Sequence, residues 1–430
     1  MTLSIAPLNQ WSKQKMNEMM QIALQAPVYA TADVVVVGGG PAGVAAAIAA
    51  ARSHARVILI ERSGQLGGMA TLGNVSIFMT VGNLTGIYKE IIAAIRPDFL
   101  AQHTQPEKLK IQFNPLLLRY HLHRMVESEN IQLMLHTDFI TPIVSHGAVT
   151  AVVVKTREGV KVIQGSQFID CTGNAELAIS AGVPYETGRV SDGLTQPMTL
   201  MFQMQNTGQP VQQILPEGCY HYETVADLPQ GRRLLWELQP DGTLIVNMTR
   251  IKGNGATIAD SSYAETEGIK QVFSVANYLQ RNGFENYILS HIAAETGVRE
   301  SHRICGRYTL TEDDLLHARR FPDVVAQTNY EIDIHSPQGE KVCDERKING
   351  YDIPYRCLVP QGVDRLLVAG RILSASHVAL SSARVMPTCF ALGQAAGVAA
   401  ALAVETECPV GNIPPKQLHQ HMKEQGVTFY

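Results

Sequence analysis

Three glycines with the spacing Gly-x-Gly-x-x-Gly stand at positions 38, 40 and 43. A β-branched run over residues 33–37 precedes them, and an Ala-rich stretch over residues 44–52 follows. In a strand, turn and helix of this kind, the glycines turn the chain, admit a pyrophosphate to the backbone and let helix and strand pack closely. The pattern predicts a dinucleotide site with phosphates at the helix N-terminus. The expected contacts are Gly38, Gly40, Pro41, Ala42 and Gly43.

An acidic residue follows at the end of the next predicted strand, residues 56–61. Glu61 stands 18 residues after Gly43. A carboxylate there can accept hydrogen bonds from both ribose hydroxyls, and it disfavours a 2′-phosphate. This fingerprint alone does not distinguish NAD from FAD.

Further glycines and polar residues stand at other predicted strand ends. One cluster follows Glu61, a second follows residues 167–169, and a third ends the strand over residues 364–370. Because ligands of such sheets lie beyond the carboxyl ends of the strands, several glycine-bearing ends favour one extended cofactor, FAD. The expected contacts are Arg62, Gly67, Gly68, Met69, Thr172, Gly173, Gly370 and Arg371.

The arginines offer a second kind of chemistry. Arg250, Arg299, Arg303 and Arg384 could each clamp a carboxylate or polarise a carbonyl. Alternatively, some of them hold the domains together through Glu300 or Asp313, and we expect this of at least two.

The elements that position these residues form an α/β chain with a Rossmann-like FAD/NAD(P)-binding domain, a β-meander over residues 138–169 and an inserted α+β domain. We predict an N-terminal arm over residues 1–30. The cofactor-binding domain is discontinuous and spans residues 31–190 and 350–430. The pattern changes over residues 191–349, which we interpret as an inserted substrate domain.

Composition excludes several classes of protein. The chain has 430 residues, 45% hydrophobic and 17% charged, with a net charge of −4, so it is globular and has no excess of basic charge for nucleic acid. Seven cysteines without a CxxC pair indicate neither a disulfide framework nor a metal site. The first 30 residues have no continuous apolar core, and the longest small-apolar runs are far below the ~20 residues of a membrane span. We therefore expect a cytoplasmic protein with no membrane partner.

Five segments together resemble the bacterial FAD-dependent oxidoreductases of the two-dinucleotide-binding-domain, glutathione-reductase-like class. They are VVVVGGGPAG (34–43), LIER with GQLGGMAT (59–71), DCTGNAE (170–176), GVRESHRICGRYTLTEDD (297–314) and GRILSASHVALSSARVMPTCFALGQAAGVAAALA (370–403). The first two are shared by many flavoproteins, and the last two are more specific. Asn174 departs from the Asp common in this group, and His302 departs from the Arg.

The resemblance implies that the flavin ring lies between the two domains, and that the helix over roughly residues 387–403 points its N-terminus at the flavin. Pro387 and Gly393 are then cofactor contacts, with close helix packing as the alternative. His377 precedes this helix and becomes a candidate proton donor or acceptor, with a structural histidine as the alternative. We expect catalysis from His377 and Arg384, with Arg250 reaching in from the inserted domain.

These residues predict an FAD-dependent oxidoreductase that transfers a hydride between flavin N5 and a small polar organic substrate. The alternatives are an NAD-dependent dehydrogenase and a flavin-binding module with a structural or sensing role. The sequence does not identify the substrate or the electron acceptor, and it leaves a homo-oligomer open.

Overall fold

The computed structural model describes residues 23, 25–79, 84–102, 110–231, 233–239, 241–338 and 343–429. The predicted N-terminal arm lies outside these residues over most of its length, and residues 28–30 belong to the first strand. The described strands are β1 (Val28–Val37), β2 (Val57–Ile60), β3 (Ile77–Met79), β4 (Lys110–Gln112), β5 (Gln132–Met134), β6 (Asp138–Ser145), β7 (Ala148–Thr156), β8 (Gly159–Asp170), β9 (Tyr185–Thr187), β10 (Phe202–Asn206), β11 (Trp236–Leu238), β12 (Thr243–Val246), β13 (Tyr287–Ile292), β14 (His302–Ile304), β15 (Val324–Thr328), β16 (Ile332–His335), β17 (Cys343–Arg346), β18 (Tyr351–Pro354) and β19 (Leu366–Val368). The described helices are α1 (Pro41–Arg52), α2 (Gly86–Ile95), α3 (Pro97–Gln102), α4 (Pro115–Ser128), α5 (Glu176–Ser180), α6 (Ile258–Arg281), α7 (Glu312–Leu316), α8 (His377–Ala383), α9 (Met386–Glu405) and α10 (Pro415–Glu424).

The main sheet has the strand order β5-β2-β1-β8-β7-β6, and β19 also pairs with β8. Strands β1, β2, β5, β8 and β19 are parallel, whereas β6, β7 and the first half of β8 form the predicted antiparallel meander. The strand predicted over residues 167–169 is the second half of β8, which leaves the meander and continues between β1 and β19. The predicted α/β class with a Rossmann-like sheet and a meander is confirmed.

Two Ala-rich helices, α1 and α9, pack against each other beside this sheet. A Cβ on Gly393 would lie 2.0 Å from the Ala42 carbonyl oxygen, and one on Gly397 would lie 2.1 Å from that of Ala46. The glycines therefore permit a backbone-to-backbone approach that any side chain would prevent. Helix α9 has the length and apolar composition of a membrane span, but 89% of its most apolar stretch is buried inside the protein.

A second core belongs to the sheet β11-β12-β10-β13 and to α6. Its buried apolar residues lie between Leu200 and Ala293. Buried apolar residues between Leu310 and Ile348 pack into the core around α1 and α9, and β15 pairs with β18 across the predicted boundary at residue 349. The inserted domain over residues 191–349 stays a prediction, and the part with its own apolar core is shorter than this range.

Candidate active site

The glycine turn after β1 has the geometry that its spacing predicts. Gly38 has a φ of 104°, in the region that favours glycine. A Cβ on Gly43 would lie 1.7 Å from the Gly38 carbonyl oxygen, so the start of α1 tolerates no side chain there. A Cβ on Gly40 would meet nothing within 4 Å, and Gly40 caps α1 without a side-chain hydrogen bond. The space beside Gly40, at the N-terminus of α1, is therefore free of protein atoms, as the close approach of an anion requires.

Glu61 lies directly beneath this turn. Its carboxylate accepts hydrogen bonds from the backbone amides of Gly39 at 2.7 Å and Ser63 at 2.7 Å. The second glycine cluster packs on the first, because the Gly67 amide donates to the Gly39 carbonyl oxygen at 2.8 Å. Met69 belongs to the short 3₁₀ helix Gly68–Ala70. These residues therefore form one continuous backbone surface at the ends of β1 and β2.

The other predicted strand ends meet at the same edge of the sheet. Gly370 follows β19, and a Cβ there would lie 3.3 Å from the Cβ of Ala42. Thr172 donates from its amide and its hydroxyl to buried Asp170, and its hydroxyl oxygen accepts from the Glu176 amide, so it orders this loop. Burial raises the pKa of Asp170 to about 6.

Arg371 binds two loops together with neutral partners. It donates to the carbonyl oxygens of Gly173 at 2.6 Å and Val298 at 2.7 Å, and to Oδ1 of Asn174 at 2.9 Å. Burial lowers the pKa of Arg371 to about 10. A partly buried cation with neutral hydrogen-bond partners fits a site for a negatively charged cofactor, because a phosphate would offset the lost hydration. Asn174, one of the two departures from the family pattern, serves as an acceptor.

Two of the predicted cofactor contacts, Arg62 and Gly393, have protein partners in the structure. Arg62 forms an ion pair with Glu295 at 2.8 Å. Pro387 lies in the first turn of α9, which begins one residue earlier than predicted, and Gly393 faces α1. The packing alternative accounts for Gly393, and its cofactor contact stays a prediction.

The loop over residues 295–301 connects the cofactor edge to a cluster of arginines. Arg250 and Arg299 each donate from Nη1 to the same oxygen, Thr199 Oγ1, at 3.0 and 2.7 Å. Arg384 lies at the end of α8, where its Nη2 is 3.4 Å from Asp333 Oδ2. Three guanidinium groups from separate segments therefore meet beside the loop that Arg371 and Arg62 hold.

The arginine cluster is electrostatically costly without an anion. Burial, followed by repulsion from Arg250 and Arg384, lowers the pKa of Arg299 well below its ordinary value. Asp333 provides partial compensation. An anionic substrate group would add the negative charge that this surface lacks, and planar guanidinium groups bind carboxylates in well-defined geometry.

Opposite these arginines, β16 and β17 place three further groups on one face. Asp333 and His335 are two residues apart in β16, and His335 pairs in register with Cys343 of β17. His335 Nδ1 lies 3.1 Å from Cys343 Sγ, and its Nε2 lies 3.6 Å from Asp333 Oδ1. The three possible ligand atoms lie within 4.8 Å of one another, although the guanidinium groups disfavour a cation there.

The charges of this face are set by burial and by the arginines. Burial and then repulsion from Arg299 lower the pKa of His335 to about 3, so the imidazole is neutral at pH 7. Burial alone would raise the pKa of Asp333, but His335, Arg384 and Arg299 outweigh it and hold the pKa below its usual range. This face therefore presents the carboxylate of Asp333, the neutral imidazole of His335 and the thiol of Cys343 as neighbours.

His377 is 8% exposed and begins α8. Its Nδ1 lies 2.8 Å from Oε1 of fully buried Glu300, which also pairs with Arg303 at 2.5 Å. Arg303 therefore has the structural role that was the alternative to a substrate contact, since it pairs with Glu300. The second family departure, His302, is 2.6 Å from the Thr187 hydroxyl, on the β9–β14 pair.

Sequence reasoning missed Thr199, Asp333, His335 and Cys343. The alternation Asp-Ile-His in a β-branched context was a usable signal, because alternate residues of a strand share a face. Nothing in the sequence near Cys343 or Thr199 indicated that they face these groups.

Comparison with known proteins identifies the class. The family model described as FAD dependent oxidoreductase matches residues 33–422. The chain belongs to this family of flavoenzymes, and its cofactor is FAD, as predicted. The glycine turns, Glu61 and Arg371 fit this cofactor. No curated protein matches the chain.

Solved structures resemble the chain weakly. A geranylgeranyl bacteriochlorophyll reductase-like protein from Thermoplasma acidophilum is 12% identical, with a TM-score of 0.49, 92% of this chain covered and 84% of that chain. CabE, an aromatic hydroxylase from angucycline biosynthesis, is 15% identical, with a TM-score of 0.47, 92% of this chain covered and 65% of that chain. The flavin-dependent brominase Bmp2 is 12% identical, with a TM-score of 0.45, 92% of this chain covered and 83% of that chain. The family match therefore supports the coarse function alone.

Proposed function

We propose that this flavoenzyme transfers a hydride between flavin N5 and a small organic substrate that carries a carboxylate. The observation that supports this most directly is the shared hydrogen bond of Arg250 and Arg299 to Thr199 Oγ1, with Arg384 nearby. Three guanidinium groups held together by neutral oxygens and one carboxylate favour an anionic ligand.

Bound FAD supplies the redox chemistry, since flavin accepts or gives a hydride at N5. The chain's own residues orient the substrate. Arg250, Arg299 and Arg384 hold its carboxylate and stabilise negative charge that develops on a neighbouring oxygen. Thr199 fixes two of the guanidinium groups, so binding requires little reorganisation.

His377 is the proposed proton donor or acceptor. Glu300 accepts from, or pairs with, its Nδ1, which leaves Nε2 as the ring nitrogen for a substrate proton. Because Glu300 also accepts hydrogen bonds from Arg303 and from the backbone amide of Gln196, the imidazole has a fixed orientation. His377 is thus tied to the loop that also carries Arg299.

The test is an anaerobic screen of the holoprotein with matched pairs of metabolites, each carboxylic acid beside its own amide or methyl ester. Bleaching of the oxidised flavin spectrum measures hydride transfer to the flavin. We expect acids to bleach faster than their neutral partners, and Arg299→Gln to abolish this preference while Arg157→Gln, at an exposed position beyond β7, keeps it. Equal rates for acids and neutral partners would contradict the proposal.

A further inference from the structure

We propose that Cys343 is a nucleophilic thiol that adds to the carbonyl carbon of a small carboxylate-bearing aldehyde or ketone, with His335 as its base and Asp333 holding the imidazole. This inference rests on the proposed function, because the arginine cluster would hold the carboxylate of the same molecule. The observation that supports it is that the side chains of Asp333, His335 and Cys343 are neighbours on one face of the β16–β17 pair. Arg299 lies close to them.

The direction of proton transfer follows from the two contacts of the imidazole. The Asp333 carboxylate lies 3.6 Å from Nε2 and favours the tautomer with its proton there. Nδ1 is then an acceptor, 3.1 Å from Cys343 Sγ. The neutral imidazole in this orientation can take the thiol proton as the Sγ–C bond forms, because a ligand carboxylate on the arginines would offset the repulsion from Arg299 that helps to lower the pKa of His335 in the empty site.

The electrostatic surroundings separate Cys343 from the other cysteines. Arg299 is close enough that a Cys343 thiolate would raise the pKa of Arg299, so the arginine reciprocally favours the thiolate. Burial raises the pKa of Cys171, Cys357 and Cys389, as expected of inert packing residues. Cys343 keeps part of its surface exposed.

A buried amide offers a further ligand contact. Gln196 is 0% exposed, and its Oε1 accepts from the His335 backbone amide at 3.2 Å. Its Nε2 has no hydrogen-bond partner among the described residues. A buried donor without a partner is unfavourable, and an oxygen of a bound ligand would satisfy it.

The step balances without an oxidant. The thiol proton moves to His335 Nδ1, the Sγ–C bond forms, and the π bond of the carbonyl breaks. The carbonyl oxygen takes the electron pair and then the proton from His335. The product is a hemithioacetal, and the reverse step restores thiol, imidazole and carbonyl compound.

The test measures alkylation of each cysteine in the wild-type holoprotein by peptide mass spectrometry. We expect iodoacetate to modify Cys343 at least about tenfold faster than Cys219, Cys305 or Cys408, because charged clefts raise anion encounter rates about 10–10³-fold. Iodoacetamide, the neutral reagent, should show a smaller advantage at Cys343. These three partly exposed cysteines are internal controls, so the comparison requires no variant.

Glyoxylate, an aldehyde with a carboxylate, should slow this alkylation more strongly than acetate at the same concentration. His335→Asn should slow the reaction of iodoacetate at Cys343, and His317→Asn, in an exposed His317–Asp313 pair, should not. Equal protection by acetate and glyoxylate would overturn the proposal. It would also be overturned if Cys343 reacted no faster than Cys219, Cys305 and Cys408, or if the protein bound zinc tightly with Cys343 as a ligand. Failure of the proposed function would give a different result. If the arginines do not bind a carboxylate, Arg299→Gln would leave the preference of Cys343 for iodoacetate over iodoacetamide unchanged.

Discussion

The two halves of the candidate active site are built in different ways. At the cofactor edge, backbone amides and carbonyl groups of adjacent strand ends form the surface, with glycines at the closest approaches. At the proposed substrate side, side chains from distant segments supply the chemistry. They are Thr199, Arg250, Arg299, Asp333 and Arg384. A backbone surface tolerates little change of shape, whereas a side-chain cluster tolerates little change of charge.

The largest expected effect tests shape at the cofactor edge. Gly43→Ala places a Cβ 1.7 Å from the Gly38 carbonyl oxygen, so we expect a protein that is poorly folded and free of flavin. Gly40→Ala is the matched control, because its Cβ meets no protein atom within 4 Å and its φ of −70° suits alanine. It should fold and lose only FAD affinity. Soluble yield, melting temperature and bound flavin are measured for the two variants. Equal melting temperatures for Gly43→Ala and Gly40→Ala would contradict the prediction that only Gly43 is required for folding.

The next effect tests charge and proton transfer on the substrate side. His377→Gln removes the proposed acid or base, and this should slow flavin reduction by substrate about 10²–10⁴-fold with FAD still bound. Stopped-flow absorbance of the holoprotein provides the rate. Unchanged reduction would leave His377 as a structural partner of Glu300, and loss of FAD would make it a cofactor contact.

Arg371 and Arg299 sharpen the comparison, since both are arginines with lowered pKa. Arg299 lies within the loop over residues 295–301, and Arg371 donates to the Val298 carbonyl oxygen of that loop from the cofactor edge. A charge-assisted hydrogen bond contributes about 1.5–3 kcal/mol, equivalent to about 10–100-fold in affinity. We expect Arg371→Gln to lower FAD affinity by this factor, and Arg299→Gln to raise the substrate KM by it with full flavin content. Flavin loss from both variants would show that the two sides are not separate.

Glu61→Gln tests the ribose contact and should weaken FAD binding about tenfold, because a neutral amide oxygen is the poorer acceptor. Glu158→Gln, at an exposed position between β7 and β8, is the control. Fluorescence titration of the apoprotein with FAD gives both constants. Identical constants for Glu61→Gln and the parent would contradict the assignment.

The smallest effect concerns stability against pH. The pKa of His335 is about 3 in the folded chain, below its unfolded value of about 6.5. The unfolded chain therefore takes up the proton first, and stability present above pH 6.5 is lost as the pH falls toward 3. Between pH 6.5 and 4.5, the parent should lose on the order of 1 kcal/mol per pH unit relative to His335→Gln. Urea midpoints measure the difference, and parallel pH curves for the two proteins would refute it.

Much of the fold and the cofactor edge could be predicted from contiguous sequence. Residues 33–37 lie in β1, and the predicted meander and the predicted helix over residues 387–403 match the structure within a few residues. Local signals sufficed because buried parallel strands need unbroken β-branched runs, and glycines are required wherever two backbones meet. These signals also predicted FAD, which the family match confirms.

The sequence by itself therefore determined the α/β class, the glycine turns and the cofactor, all of which depend on residues close together in the chain. Only the tertiary structure showed that Arg250 and Arg299 share one hydroxyl oxygen, that buried residues between Leu310 and Ile348 pack into the core around α1 and α9, and that Cys343 faces His335. Such contacts join segments far apart in sequence, and periodicity contains no information about which face meets which. The protonation states of the site residues therefore depend on tertiary contacts, whereas the backbone turns of the cofactor edge depend on the local sequence.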